Sequence, residues 1–134
     1  MSVRKLKPIT PAQRFRVVNG FDTLTKSKPE KSLLIPNKSS GGRNNKGKMT
    51  VPHRGGGHKR RYRLIDFKRN KFDVEGEVIR NEYDPNRSSF ISLIKYSDGE
   101  FKYIITPHNL NIGDKVISSD NADIVIGNCL SLKN

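Results

Sequence analysis

Two stretches of the sequence carry residue types that could do chemistry. In "GGRNNKGKM" (residues 41–49), Gly42, Gly47 and Lys48 match G-x-x-x-x-G-K, the start of a phosphate-binding P-loop. Met49 stands where Ser or Thr would hold magnesium, and neither a strand nor a helix-forming run flanks the stretch. We therefore interpret it as a flexible basic loop that offers amides and cations to phosphate. A nucleotide-handling enzyme is the lesser alternative.

The three histidines, His53, His58 and His108, do not predict a metal site. His53 and His58 are five residues apart, but no cysteine pair or carboxylate nearby completes a tetrahedral zinc site. Neighbouring arginines favour contact with phosphate or a base instead. Since no paired carboxylates or nucleophile–base set stand out elsewhere, we expect neither an enzyme nor a cofactor. The single cysteine, Cys129, is expected to be a small core side chain at a strand end.

The charge of the chain is large and unevenly spread. Residues 1–71 hold 20 Lys and Arg against 3 Asp and Glu, whereas residues 72–134 hold 6 against 10, and the whole chain carries +13. Such a charge predicts a polyanionic partner, either nucleic acid or an anionic membrane surface. No apolar run approaches the ~18 residues of a membrane helix, and no apolar segment of a secretory signal follows the basic N-terminus. We therefore expect no membrane partner.

The first part of the chain lacks core material. Five of the seven prolines lie between Pro8 and Pro52, and six of the eleven glycines lie between Gly41 and Gly57. This composition cannot bury enough apolar surface to offset the entropy of ordering the chain. We expect residues 1–58 to form a basic extension that becomes ordered on its partner. Two short apolar patches, Arg14–Val18 and Ser32–Pro36, are expected to pack on the domain as anchors.

Residues 59–134 have the pattern of a β domain without a convincing amphipathic helix. We expect strands within Arg61–Phe67, Val74–Tyr83, Ser89–Tyr96, Phe101–Thr106, Lys115–Ser118 and Asp123–Ile126. Asp98-Gly99 between two β-rich runs is a hairpin signal. The spacing predicts a mainly β fold: a small OB-like barrel of five to six strands behind a long, irregular basic extension. Such barrels often bind single-stranded or structured RNA on one face.

The alternation within these strands predicts which side chains face solvent. It places Arg61, Arg63 and Ile65 on one face of their strand, with Tyr62, Leu64 and Asp66 on the other. The acidic residues Glu75, Glu77, Glu82 and Asp84 are expected on solvated faces. The aromatic residues expected in the core are Phe67, Tyr83, Phe90, Tyr96, Phe101 and Tyr103. That assignment argues against a free-standing DNA or single-strand binder, which would line its groove with stacking aromatics.

The strongest functional signal is a basic cluster beside Gly55, Gly56 and Gly57. Its members are Lys46, Lys48, Arg54, Lys59, Arg60, Arg61, Arg63, Lys68 and Arg69. Consecutive glycines permit unusual dihedral angles and close approach to the backbone. In "YDPNRSS" (residues 83–89), Asp-Pro-Asn predicts a turn with Arg87 at its tip, where it would reach a phosphate.

Three stretches of the sequence carry a resemblance to a known family. "SGGRNNKGKMTVPHRGGGHKRRYRLIDFKRNK", "EYDPNRSSFISLIKYSDGEFKYIITP" and "GNCLSLKN" resemble the N-terminal half of the bacterial-type large-subunit ribosomal protein L2, and "RKLKPITPAQRFR" and "KPEKSLL" are similar to its N-terminal extension. The resemblance covers almost the whole chain. It implies an OB-like RNA-binding barrel with a basic extension, seated in large-subunit ribosomal RNA among neighbouring ribosomal proteins. It also implies a structural role in subunit assembly and translation.

The resemblance transfers the family's RNA contacts to named positions. These are Arg43, Asn44, Lys48, His53, Arg54, Gly55, Gly56, Gly57, His58, Lys59, Arg60, Arg61, Arg63 and Arg87. The family continues into a second, SH3-like domain and a basic tail, whereas this sequence stops at Asn134 and has Ser131 where proline is usual. Two interpretations stay open: a split gene whose second polypeptide carries the C-terminal half, or a truncated chain. A split gene would suggest a ribosome in the mitochondrial matrix, whereas the N-terminal sequence most resembles bacterial members and would suggest the bacterial cytoplasm. Both locations stay open.

Overall fold

The computed structural model describes residues 3–25 and 27–132, which form a mainly β structure. Within them, the short 3-10 helices are Pro11–Gln13 and Lys31–Leu33. The strands are β1 (Val3–Lys5), β2 (Val17–Asn19), β3 (Leu34–Pro36), β4 (Arg61–Arg63), β5 (Gly76–Glu82), β6 (Ile91–Tyr96), β7 (Phe101–Ile105) and β8 (Lys115–Val116). The predicted strands that contain β5, β6, β7 and β8 are thereby confirmed, although β4 and β8 are shorter than expected.

The central element is an antiparallel sheet with strand order β7-β6-β5-β8. The β6–β7 hairpin turns at the predicted Asp98-Gly99 pair, where Gly99 has a φ of 86° that suits glycine. Beyond β4, Ile65 forms a parallel bridge to Tyr103, and the Asp66 amide donates to the Tyr103 carbonyl at 2.8 Å. The sheet therefore curls into a half-barrel, and the predicted mainly β, OB-like fold class is confirmed.

Strand β6 is buried on both of its faces. One face packs in a cluster with Val78, Ile104, Leu110 and Val116, and the other face packs with Tyr103. Leu33, which lies in the predicted extension, covers this second face together with Ile65 and Phe101. The anchor role predicted for Ser32–Pro36 is confirmed.

The anchor role predicted for Arg14–Val18 is wrong. Phe15 is 91% and Val17 48% exposed, and β2 pairs with β1 in a separate two-stranded sheet.

A buried polar network attaches the segment before β3 to the sheet. Glu82, which is 4% exposed, accepts hydrogen bonds from Arg80 Nε at 2.5 Å and from the Tyr103 hydroxyl at 2.9 Å. The same hydroxyl accepts a hydrogen bond from the Glu30 amide at 2.9 Å. Burial, with the neighbouring Glu82 carboxylate, raises the pKa of Tyr103 to about 12. Tyr103 therefore stays protonated and donates to Glu82 at neutral pH.

Two of the acidic residues expected on solvated faces are buried. Glu82 and Asp84 are 4% and 0% exposed, and each accepts a hydrogen bond from an arginine, Arg80 or Arg87. An ion pair and further hydrogen bonds offset the cost of burying a carboxylate. Glu75 and Glu77 are exposed as predicted.

The predicted strand Asp123–Ile126 is also wrong. The amides of Val125 and Asn128 donate to the carbonyls of Asp123 and Val125, which makes the segment a turn and leaves Ile124 97% exposed. Cys129 instead forms a parallel bridge to Ser118, and its side chain is exposed rather than in the core. Local hydrogen bonding thus prevails over the β propensity of an apolar run.

Gly76 supplies the first testable prediction. A Cβ atom at Gly76 would lie 2.5 Å from Ile94 Cγ2 and 3.2 Å from the Tyr96 ring, whereas one at Gly57 would meet nothing within 4 Å. Gly76→Ala should therefore lower the free energy of unfolding by about 1–3 kcal/mol through overpacking. The matched control Gly57→Ala should stay within about 0.5 kcal/mol of the parent chain. Urea denaturation checks both, and equal midpoints would contradict this packing.

Candidate nucleic-acid interface

A long basic loop, residues 37–60, connects β3 to β4. Because these strands pair antiparallel, with Pro36 opposite Arg61, the two ends of the loop lie side by side. Residues 31–65 contain ten Lys and Arg and no Asp or Glu. The two limbs of the loop line an open groove, with Asn37–Arg43 on one side and Arg54–Arg61 on the other. The groove is therefore lined by cations from residues 31–65, a segment without any carboxylate side chain.

The first limb of the basic loop closes on itself around Gly42. The Gly42 carbonyl accepts hydrogen bonds from the amides of Thr50 and Val51 at 2.9 and 3.2 Å. A Cβ atom at Gly42 would lie 2.1 Å from the Val51 carbonyl oxygen, and its φ is 74°, so only glycine fits this crossing. Residues 42–51 thereby form a small closed loop, and residues 52–60 run back to β4.

The P-loop-like stretch does not present its amides to a phosphate. Asn44 Oδ1 accepts hydrogen bonds from the amides of Lys46 and Lys48, both at 3.0 Å. Arg43 and Met49 form a β-bridge that closes the loop behind them. Asn44, one of the residues predicted to contact RNA, thus uses its side-chain oxygen to shape the loop. The side chains of Lys46 and Lys48 remain exposed at the loop surface.

The three consecutive glycines leave the return limb open to a partner. An added Cβ at Gly56 or Gly57 would meet nothing within 4 Å, and one at Gly55 would contact only Gly41 Cα at 3.8 Å. Gly55 and Gly56 have φ values of 128° and 73°, which side chains rarely adopt. The backbone of the return limb is therefore accessible from outside the protein.

The structure separates the predicted site residues into outward and inward groups. The exposed candidates are Arg43, Asn44, Lys46, Lys48, His53, Arg54, Gly55, Gly56, Gly57, His58, Lys59, Arg60, Arg61 and Lys68. Arg63 is 9% exposed, and its Nη1 donates to the Arg61 carbonyl at 2.8 Å. Arg69 Nε donates to Ser118 Oγ at 3.1 Å and its Nη1 to the Gly127 carbonyl at 3.2 Å. Arg63 and Arg69 therefore point into the protein.

Arg87 is held against β4 instead of extending from a turn tip. Its Nε donates to Asp84 Oδ2 at 2.6 Å, and its guanidinium carbon lies 5.7 Å from the ring centroids of both Tyr62 and Phe67. Burial alone would lower the pKa of Arg87, but hydrogen bonds, that to Asp84 first, leave this pKa raised. Asn86 Nδ2 also donates to the Arg61 carbonyl at 2.8 Å. The turn is therefore fixed at the start of the basic strand.

Several aromatic side chains assigned to the core lie at the surface. Phe67 and Tyr83 are 63% and 54% exposed, whereas Tyr96 and Tyr103 are buried as predicted. Tyr62, which is not among the residues predicted for the core, is 37% exposed. The alternation that places Tyr62 on the face opposite Arg63 was the available signal, since Arg63 points inward and Tyr62 outward. The argument that the aromatic residues are spent in the core is therefore wrong for Phe67 and Tyr83.

Within the described residues, two other kinds of site find no support. No group of three or more His, Cys, Asp or Glu side chains is placed to hold a metal ion in the chain segments 3–25 and 27–132. In the same segments, no helix has the length and apolar character to cross a membrane.

Comparison with known proteins assigns the family. A family model described as "Ribosomal Proteins L2, RNA binding N-terminal domain" matches residues 30–118. The chain belongs to this family. The match begins at Glu30, whose amide bonds to Tyr103, so it includes both β3 and the basic loop.

The similar curated proteins are each named "Large ribosomal subunit protein uL2". That of Flavobacterium psychrophilum is 60% identical over 132 residues, 98% of this chain and 48% of the relative. That of Christiangramia forsetii is 59% identical over 135 residues, 100% of this chain and 48% of the relative. That of Amoebophilus asiaticus is 53% identical over 133 residues, covering 99% and 48%. The chain thus spans about half the length of the curated relatives it matches.

Substitutions at the adjacent residues Lys68 and Arg69 test whether inward-pointing cations contribute more to stability than outward-pointing ones. Arg69→Ala removes charged hydrogen bonds to Ser118 and Gly127 and should lower the free energy of unfolding by about 1–3 kcal/mol. Lys68→Ala, at an exposed position, should change it by no more than about 0.5 kcal/mol. Thermal and urea unfolding of the two variants measure this difference. Equal changes of stability in the two variants would contradict the separation of inward from outward cations.

Proposed function

We propose that this chain is a structural constituent of the large ribosomal subunit that binds large-subunit ribosomal RNA and supports subunit assembly and translation. The observation that carries the proposal is the basic loop: ten Lys and Arg without one Asp or Glu over residues 31–65, closed at its base by the β3–β4 pair. Such a surface suits a polyanion whose phosphates replace the missing acidic partners. The family and the names of the relatives support the same partner.

The two parts of the chain have different roles in this proposal. Residues 1–58 serve as the RNA-wrapping extension, and residues 59–134 serve as the OB-like barrel that holds the start of β4 in place. The exposed cations of the basic loop, together with Arg61 and Lys68, contact phosphates, and Gly55–Gly57 let the backbone approach the RNA. Arg63, Arg69 and Arg87 support this surface from behind, through their bonds to the protein.

The role proposed is structural and not enzymatic. The amides of the P-loop-like stretch are bonded to Asn44, which argues against nucleotide binding there. The proposed partners include neighbouring ribosomal proteins and the C-terminal half of the family's sequence. That half is either on the same polypeptide or on a separate one. The intact mass of the protein in purified large subunits distinguishes these two arrangements.

The salt dependence of RNA binding tests the proposed contacts. If about 6–10 phosphates are engaged, the affinity for a large-subunit ribosomal RNA fragment should fall by about 10³–10⁵ between 50 and 200 mM salt. Changing Lys59, Arg60 and Arg61 together to Ala should lower the magnitude of the log–log slope by about 2–3, since each phosphate contact contributes roughly 0.7–0.9. Fluorescence anisotropy titrations at several salt concentrations measure both slopes.

A charge-matched control removes cations outside the basic loop. Changing Lys95, Lys102 and Lys115 together to Ala deletes the same charge from the half-barrel. That variant should keep most of the parent slope and affinity, because the contacts assigned to the loop are intact. The proposal fails if the two triple variants lose affinity equally, or if the parent chain shows a salt slope near zero. Far-UV circular dichroism verifies that both variants remain folded.

A further inference from the structure

The basic surface carries a second feature that phosphate binding leaves unexplained: two exposed aromatic rings that contact one arginine. The guanidinium carbon of Arg87 lies 5.7 Å from the centroids of Tyr62 and of Phe67, within the range of a cation–π contact. Tyr62 is 37% exposed and Phe67 is 63% exposed. Both rings therefore contact the same arginine at the protein surface, and we term this cluster the Tyr62–Arg87–Phe67 stack.

The stack is held in place from below. Arg87 donates to Asp84, which is fully buried, and Asp84 Oδ1 also accepts hydrogen bonds from the amide and side chain of Asn86. Asn86 in turn donates to the Arg61 carbonyl, next to Tyr62. The arginine that contacts both rings is thus neutralised by Asp84 and positioned by the protein. A preorganised surface of this kind loses little entropy when a flat ligand binds.

The residues beside the two rings carry the charge that a nucleotide would require. Arg60 and Arg61 precede Tyr62, Lys68 follows Phe67, and all three are exposed. A base that stacks on an aromatic ring brings its phosphates to the neighbouring cations, which is the combination found in surfaces that bind single-stranded nucleic acid. A paired base inside a helix cannot offer its face in this way, whereas bases in loops and bulges can be splayed out and stacked on aromatic side chains.

We infer that the Tyr62–Arg87–Phe67 stack binds an unpaired nucleobase of the RNA, while the flanking cations bind the adjoining phosphates. The inference rests on the proposed function and adds to it, because the basic loop alone would not distinguish paired from unpaired RNA. Since every base has a π face, the stack should accept either a purine or a pyrimidine.

The test compares two hairpin RNAs that differ in one nucleotide. One is fully paired in its stem, and the other carries a single bulged 2-aminopurine. The parent chain should bind the bulged hairpin more tightly, and stacking on the rings should quench the emission of the bulged 2-aminopurine. This measurement uses the parent chain, so its outcome does not depend on any variant folding. Unchanged 2-aminopurine emission at saturating protein would overturn the inference. The rings would then be assigned to a contact with a neighbouring protein.

Variants assign the effect to the two rings. Tyr62→Leu and Phe67→Leu keep an apolar side chain but lose the ring, and each should reduce the affinity for the bulged hairpin about fivefold or more. Phe67→Tyr retains the ring and should retain the affinity. The control is Phe72→Leu, since Phe72 is 61% exposed but is not one of the two rings that contact Arg87. Equal effects of Phe67→Leu and Phe72→Leu would overturn the assignment.

The outcomes separate this inference from the proposed function. If the stack does not bind a base, the paired and bulged hairpins will bind equally and both will still show the steep salt dependence of phosphate contacts. If the proposed function itself fails, neither hairpin will bind in a charge-dependent way. The ring variants should also leave the salt slope unchanged, because they remove no cation.

Discussion

The pairing of β3 with β4 is the constraint on which the rest of the structure depends. It closes a loop that cannot neutralise its own charge, since residues 31–65 contain no acidic residue. Mutual repulsion would spread such a segment apart. Leu33, packed on the buried face of β6, and Glu30, bonded to Tyr103, hold the first end of the loop on the sheet. The half-barrel thereby concentrates positive charge at one position, which favours the rapid capture of a polyanion.

The direction of each side chain, and not the number of charges, determines which cations are available to a partner. Arg61 and Lys68 point outward, whereas Arg63 and Arg69, two and one residues further along, donate to protein oxygens. Arginine suits the inward positions because its several donors can bond backbone carbonyls while its stem packs. Some cations of this basic stretch thus stabilise the fold through hydrogen bonds to protein oxygens, and the others are exposed at the surface.

Local pattern was sufficient to predict the sheet. Alternation and the Asp98-Gly99 turn located β5, β6 and β7, and uncompensated charge located the basic loop. The misassigned elements depend on specific side-chain hydrogen bonds that residue periodicity does not encode. Glu82 is buried because Tyr103 and Arg80 donate hydrogen bonds to its carboxylate. Residues 123–126 form a turn because the Asn128 side-chain amide donates to the Asp123 carbonyl. The surface position of Phe67 follows from Arg87, twenty residues away, which no periodicity encodes.

Amide hydrogen exchange with and without RNA tests the central claim most directly, namely that the basic loop is the RNA-contacting element and the sheet is its scaffold. On binding a large-subunit ribosomal RNA fragment, amides of residues 52–60 should exchange more slowly, while those of β5, β6 and β7 should keep the protection that they already have in the free chain. Unchanged exchange in residues 52–60, with new protection confined to the half-barrel, would contradict the account.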